Sequence, residues 1–224
     1  MNKWNFGPLS VRAFGSGENA VWLTMSHAEA AELSDRLSDV PATLLAVDGV
    51  DWNRDLTPWP APSIFRGQPD FGGGAEAYLR LLTSEILPVV EAAIYPKRRW
   101  IAGYSLAGMF AIWAATRSQM FSAVASVSGS MWYKNLMDYL QGNIGLPPDF
   151  LPEMAYFSVG DRELFGRNQA FRTIEEWTKQ AEEILRIKGV QTIFETNPGG
   201  HFEDPAGRMA RAIRWLCNQS ANQE

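Results

Sequence analysis

Short runs dense in β-branched and aromatic residues alternate along the chain with longer runs whose apolar positions recur every three to four residues. The first kind predicts strands at residues 11–14, turned by Gly15, Ser16 and Gly17, and at 20–24 and 42–47. The second predicts a helix at 28–37 and another at 75–93. Between them residues 48–74 read as irregular, crowded with Pro58, Pro60, Pro62 and Pro69 and closed by Gly72, Gly73 and Gly74. A strand at 98–102 is followed by a helix around 109–115 that is apolar on every face. Strands at 123–127, 154–159 and 191–196 come next, with a second irregular stretch at 141–152. A helix at 168–188 carries Phe171, Ile174, Trp177, Ala181, Ile184 and Leu185 on one face, and a last helix carries Met209, Ile213 and Leu216. This alternation implies an α/β fold with a mostly parallel central sheet and helices on both faces. No internal repeat or low-complexity tract interrupts it.

At 224 residues the chain suits one domain spanning 1–224. Its 25 acidic and 20 basic residues give a formal charge of −5, which argues against a nucleic-acid or anionic-membrane partner held by bulk electrostatics. The uncharged stretch at 100–116 is interrupted by Gly103, Ser105 and Gly108 and falls short of the ~20 apolar residues of a span. One cysteine, Cys217, permits no internal disulfide and sits at an apolar position of the terminal helix. Residues 1–8 lack the apolar core of a signal peptide, so the expected location is a reducing cytoplasm. Two histidines and one cysteine provide neither Cys-x-x-Cys nor His-Glu-x-x-His, so neither a metal nor another cofactor is expected. Gly103 to Gly108 has P-loop spacing, but Met109 and Phe110 stand where Lys and Ser or Thr belong.

The candidate chemistry centres on Ser105. It lies in Gly103-Tyr104-Ser105-Leu106-Ala107-Gly108, where an apolar strand runs into a small-residue helix. A turn this tight needs small residues two before and two after the serine, and Gly103 and Ala107 meet that demand. Such an elbow lifts the hydroxyl clear of the strand end and leaves the N–H of Leu106 at a helix N-terminus, where negative charge is stabilised. An acyl-transferring serine also needs a base and an acid that orients the base. His27 precedes the serine; His201 follows the last strand in a loop with Gly199 and Gly200. Only His201 satisfies the order serine, acid, histidine of the α/β-hydrolase arrangement. The acid is Asp161 or Glu163, both in the loop after strand 154–159. A second oxyanion donor is expected after strand 20–24, at Met25 with Ser26 as the alternative, on topology alone.

Several segments resemble the esterase family of α/β-hydrolases, the group containing enterobactin-type siderophore esterases, S-formylglutathione hydrolases and mycolyltransferases. They are Arg54-Asp55-Leu56-Thr57-Pro58, Glu85-Ile86-Leu87-Pro88, the elbow, Ser128-Gly129-Ser130-Met131-Trp132, Gly160-x-x-Glu163 and Gly199-Gly200-His201. The resemblance implies an α/β-hydrolase fold with a small cap or none, serine ester hydrolysis, and Glu163 rather than Asp161 as the acid. Ala107 departs from the commoner glycine, and neither the N-terminal β-domain of many siderophore esterases nor a long cap is visible.

The expected function is a serine carboxylic-ester hydrolase working through an acyl-enzyme on a small-molecule ester. An acyltransferase with the same triad, a siderophore esterase and a pseudo-hydrolase binding module are the alternatives. Trp52, Trp59, Trp132 and Tyr133, with Phe65 and Phe71, are candidate walls of a substrate pocket, about half of them expected to pack the loops instead. Arg54 and Arg66 face Asp48, Asp51, Asp55 and Asp70 in the first irregular stretch, a balance that favours a neutral ester over an anionic one.

Overall fold

The computed structural model describes residues 2–64, 67–143, 150–165 and 168–221; Phe65, Arg66 and part of the stretch at 141–152 lie outside the described residues. Strands β1 (Lys3–Phe6), β2 (Leu9–Gly15), β3 (Asn19–Thr24) and β4 (Ala42–Asp48) come first. A two-residue pair, β5 (Pro60–Ala61) with β6 (Phe71–Gly72), precedes β7 (Arg98–Tyr104), β8 (Ala123–Val127), β9 (Met154–Gly160) and β10 (Gln191–Asn197). Eight of these form one sheet in the order β1-β2-β4-β3-β7-β8-β9-β10. The β1–β2 and β2–β4 pairings are antiparallel and every pairing from β4 to β10 is parallel.

Strand side chains alternate between faces. In β3, Ala20 and Trp22 join one core and Val21 and Leu23 the other; in β7, Ile101 opposes Trp100 and Ala102. Both faces are covered, which is why these strands read as continuous apolar runs rather than alternating ones. Helices α1 (His27–Asp35) and α9 (Pro205–Ala221) cover the face of Trp100, with Leu33, Met209, Ile213 and Leu216 packed inward. Helices α3 (Ala75–Leu81), α4 (Leu87–Glu91), α5 (Leu106–Arg117), α6 (Leu136–Gln141) and α8 (Ile174–Ile187) cover the other. Residues 106–116 of α5 are all buried, matching its apolar sequence.

Departures from the sequence pattern have local causes. The helix expected at 75–93 passes through a π turn at Leu82–Ile86 between α3 and α4. Pro88 has no N–H for the carbonyl four residues back and crowds it, and a wider turn relieves both defects. The helix expected at 168–188 divides into α7 (Gln169–Arg172) and α8 at Thr173, whose hydroxyl donates to the Ala170 carbonyl and competes with helical bonding. The stretch at 48–74 contains α2 (Trp52–Asp55), capped by Asp51, as well as β5 and β6. There Thr57 donates to the Asn53 carbonyl and accepts from Gly73 N–H, so the Arg-Asp-Leu-Thr-Pro segment braces its own loop. Gly73, at φ +74°, has no room for a Cβ, which would lie 2.5 Å from Pro60 Cδ. Strand β1, not among the expected strands, is a four-residue edge strand with Lys3 and Asn5 exposed and Trp4 and Phe6 packed against the core.

Candidate active site

Ser105 stands between β7 and α5 at φ 56°, ψ −121°, outside the regions an L-residue favours. Neighbouring backbone holds it there. Its N–H donates to Val127 O at 3.0 Å, and its carbonyl accepts from Ser130 and from Gly108 and Met109 of the helix. A Cβ on Gly103 would lie 2.2 Å from the carbonyl oxygen of Ala107, which gives the small-residue rule of the elbow its physical content. Gly108 and Met109 thus use the Ser105 carbonyl, whereas Leu106, the first residue of α5, has no helical carbonyl behind it, and its N–H stands beside the hydroxyl.

Loops from three parallel strands converge here. After β9, the chain turns into a 3-10 helix at Glu163–Phe165, and the Glu163 side chain is fully buried. After β10, Asn197 to His201 folds back onto it; Gly160 permits the approach, since a Cβ there would lie 2.2 Å from Gly199 O. His201 Nδ1 meets Glu163 Oε2 at 2.7 Å, and His201 Nε2 meets Ser105 Oγ at 3.0 Å. Phe171 packs on the imidazole with ring centroids 4.4 Å apart. Asp161 instead accepts from Gly199 N–H at 2.8 Å and is half-exposed, bracing the histidine loop from outside. His27 lies elsewhere, beside the Ser10 carbonyl and Asp48.

The other Glu163 oxygen, Oε1, accepts from Ser128 Oγ, Gly160 N–H and Arg208 Nη2, each at 2.6 Å. Burial pushes this carboxyl up, but hydrogen bonds from His201, Arg208 and Ser128 outweigh it and hold the group at about 2. Glu163 is therefore ionised at neutral pH. Ser128, present in the sequence reading only as part of a family segment, and Arg208 carried no expected role at the site. Arg208 was detectable, because it shares the i, i+4, i+8 stripe of α9 with Ala212 and Leu216, a charged residue on an otherwise apolar face.

A cavity of about 390 Å³ opens at Ser105 and His201, walled by Met25, Trp52, Leu33, Met209 and Phe202. Trp52 is thus among the residues lining this cavity. Phe202 is exposed beside the histidine and was missed, although it directly follows His201. Three other candidate walls are not among the residues lining this cavity. Trp59, Trp132 and Tyr133 form an aromatic cluster with Phe71 and Tyr139, and Trp59 Nε1 donates to the Lys134 carbonyl. They join the 56–74 loop to the segment after β8, because irregular backbone needs side-chain packing of its own. The two expected second oxyanion donors already have acceptors in this structure. Met25 N–H extends the β3–β4 ladder to Val47 O at 3.2 Å, and Ser26 N–H donates to Glu29 Oε2 at 3.0 Å in the cap of α1.

Strand order, parallel pairing and the placement of the site at strand ends define an α/β-hydrolase. The family described as "Putative esterase" matches residues 23–205, and the chain belongs to it. It is 29% identical over 202 residues to the uncharacterized protein YbbA of Bacillus subtilis strain 168, covering 86% of this chain and 79% of that protein. The siderophore hydrolase EstA from Aspergillus nidulans superposes with TM-score 0.76 at 19% identity, over 98% of this chain and 94% of that one. An IroE-like serine hydrolase from Shewanella oneidensis superposes with TM-score 0.77 at 16% identity, over 94% and 75%. No helix among the described residues is long and apolar enough to cross a membrane.

Proposed function

We propose that this protein hydrolyses a neutral carboxylic ester through an acyl-enzyme on Ser105. The observation that carries this reading is the hydrogen-bonded chain Ser105–His201–Glu163, set on a strained elbow at the floor of a cavity. Glu163 accepts a hydrogen bond from the Nδ1–H of His201, which leaves Nε2 as the free base. The Ser105 hydroxyl gives its proton to Nε2 as Oγ attacks the ester carbonyl. The oxygen that becomes negative meets the Leu106 N–H and the positive end of α5. Collapse of the tetrahedral intermediate expels the alcohol, which takes the proton back from His201. Water, deprotonated by the same nitrogen, then attacks the acyl carbonyl, and collapse releases the acid while Ser105 Oγ leaves and takes the proton from His201.

The cavity speaks to substrate charge. Among the described residues its lining contains Glu29 and Glu32 and no lysine or arginine, a balance that disfavours an anionic ester. Trp52 and Phe202 offer flat apolar contact to an aryl or alkyl part. The fold neighbours named as siderophore hydrolases favour a second reading, in which the ester is a siderophore, but likeness at 19% identity carries fold rather than substrate. A third, acyl transfer, differs only in the acceptor.

Kinetics on p-nitrophenyl esters of rising chain length beside an iron-loaded siderophore decide among these. Neutral short aryl esters are expected to give the higher kcat/KM; preference for the ferric siderophore by about tenfold or more, a gap of ~1.4 kcal/mol, overturns the neutral-ester reading. Ester turnover that rises in added alcohol, with transfer product formed, establishes the acyltransferase. Ser105→Ala is expected to lower kcat by ~10⁶ and to abolish fluorophosphonate labelling. An alanine variant that keeps a tenth of wild-type turnover, roughly 1.4 kcal/mol in the barrier, removes Ser105 from the chemistry.

A further inference from the structure

Arg208 is among the largest fully buried side chains of the molecule, on α9, between the triad acid and the elbow. Its Nη2 donates to Glu163 Oε1 at 2.6 Å and to Ser128 Oγ. Its Nη1 donates to the Tyr104 hydroxyl at 2.8 Å and to the Gly200 carbonyl at 3.1 Å. Tyr104 in turn donates to the His201 carbonyl at 2.6 Å, and its ring lies under the guanidinium at 5.5 Å. One planar fork therefore ties the acid on one side to Gly200 directly and to His201 through Tyr104 on the other. Stability is a poor account of this, since a buried ion pair gains little over apolar packing and Arg208 Nε is buried without a partner among the described residues.

We infer that Arg208 is a positioning residue, which fixes Glu163 and the His201 loop in one register so that Oε2 faces Nδ1 while Nε2 reaches Ser105. Three donors occupy Oε1 and leave Oε2 for the imidazole. The span from Oε1 to the Gly200 and Tyr104 oxygens requires two nitrogens held apart in a plane. A lysine ammonium supplies the charge at one point and cannot bridge both.

This inference rests on the ester-hydrolase reading, and its test separates the two. Arg208→Lys is compared with wild type by kcat per active site, titrated with fluorophosphonate, by KM, and by the downfield proton resonance of the His201 Nδ1–H. Arg208→Lys is expected to lower kcat by ~10²-fold, as misplaced catalytic groups do, with KM changed by less than about threefold and the resonance shifted or lost. Arg208→Met, which also removes the charge, is expected to lose more. A lysine variant with kcat within about threefold of wild type and an unchanged resonance overturns the inference. A methionine variant that does not fold leaves the decision to the lysine variant. Should the wild type cleave no ester, the functional reading falls, while the resonance in Arg208→Lys still decides whether the fork holds the imidazole.

Discussion

Ser105 combines a hydroxyl that borders the cavity with a backbone conformation that stores strain, of order 1–3 kcal/mol at such sites. Ser105→Gly removes both. It is expected to raise stability to urea by about 1 kcal/mol, the relief being partly offset by glycine's greater freedom in the unfolded chain, while ester hydrolysis disappears. A lowered urea midpoint would show that the elbow carries no strain. Glu163 gives the pH dependence. Its folded value of about 2 lies below its ordinary 4.5, so within that window the unfolded chain binds more protons than the folded protein. The carboxylate stabilises the fold above the window, and the contribution, of order 3 kcal/mol, is lost as pH falls through it. Glu163→Gln cannot titrate. Its deficit against wild type in urea unfolding should be widest at neutral pH and shrink as pH approaches 2; a pH-independent deficit contradicts the assignment. In turnover the same variant is expected to lose ~10⁴, and Asp161→Asn far less.

At the scale of elements, α1 begins where β3 ends at the cavity, and its start is set by a capping box. Glu29 N–H donates to Ser26 Oγ while Ser26 N–H donates to the Glu29 carboxylate. Ser26→Ala should cost ~1 kcal/mol of stability in urea unfolding. It leaves the Ser105–His201–Glu163 contacts in place, so kcat on the preferred ester should change by less than about threefold. A loss of turnover as large as that of Glu163→Gln would mean that the cap also shapes the site. The box also explains why α1 starts at His27 and why the backbone N–H groups here are engaged rather than open to substrate. The continuous run at 75–91 makes a different point: its apolar period is helical throughout, and a single proline is enough to widen one turn without ending the helix.

For the whole molecule, the sheet separates two cores that share no side chains, and the face under α1 and α9 depends on Trp100 of β7. Trp100 is wholly buried and its indole N–H has no partner among the described residues. Trp100→Ala should cost about 3–5 kcal/mol, a large share of the ~5–15 kcal/mol that holds a domain together. Trp100→Phe, which removes the unpaired N–H and keeps a ring, should cost clearly less. Thermal and urea unfolding of the two variants check the ranking; equal losses would mean that the indole N–H is satisfied in solution.

Hydrophobic periodicity is a local property, so the strand and helix order, the burial of the strands on both faces and the elbow at Ser105 could all be read before any contact was known. Glycines at Gly103 and Gly199-Gly200 marked the turns because close backbone approach leaves a trace in residue size. The family's motif indicated Glu163, whereas its spacing alone left Asp161 equally open; a loop carboxylate's direction depends on what the neighbouring strand brings to it. For the same reason the Oε1 partners, the engaged N–H of Met25 and the loop-packing role of Trp59 and Tyr133 were settled only in three dimensions. Each depends on segments that parallel strand pairing sets side by side although they lie far apart in the chain. A polar group's partner is a matter of ångströms across such a junction, and residue type and spacing along one segment do not carry that distance.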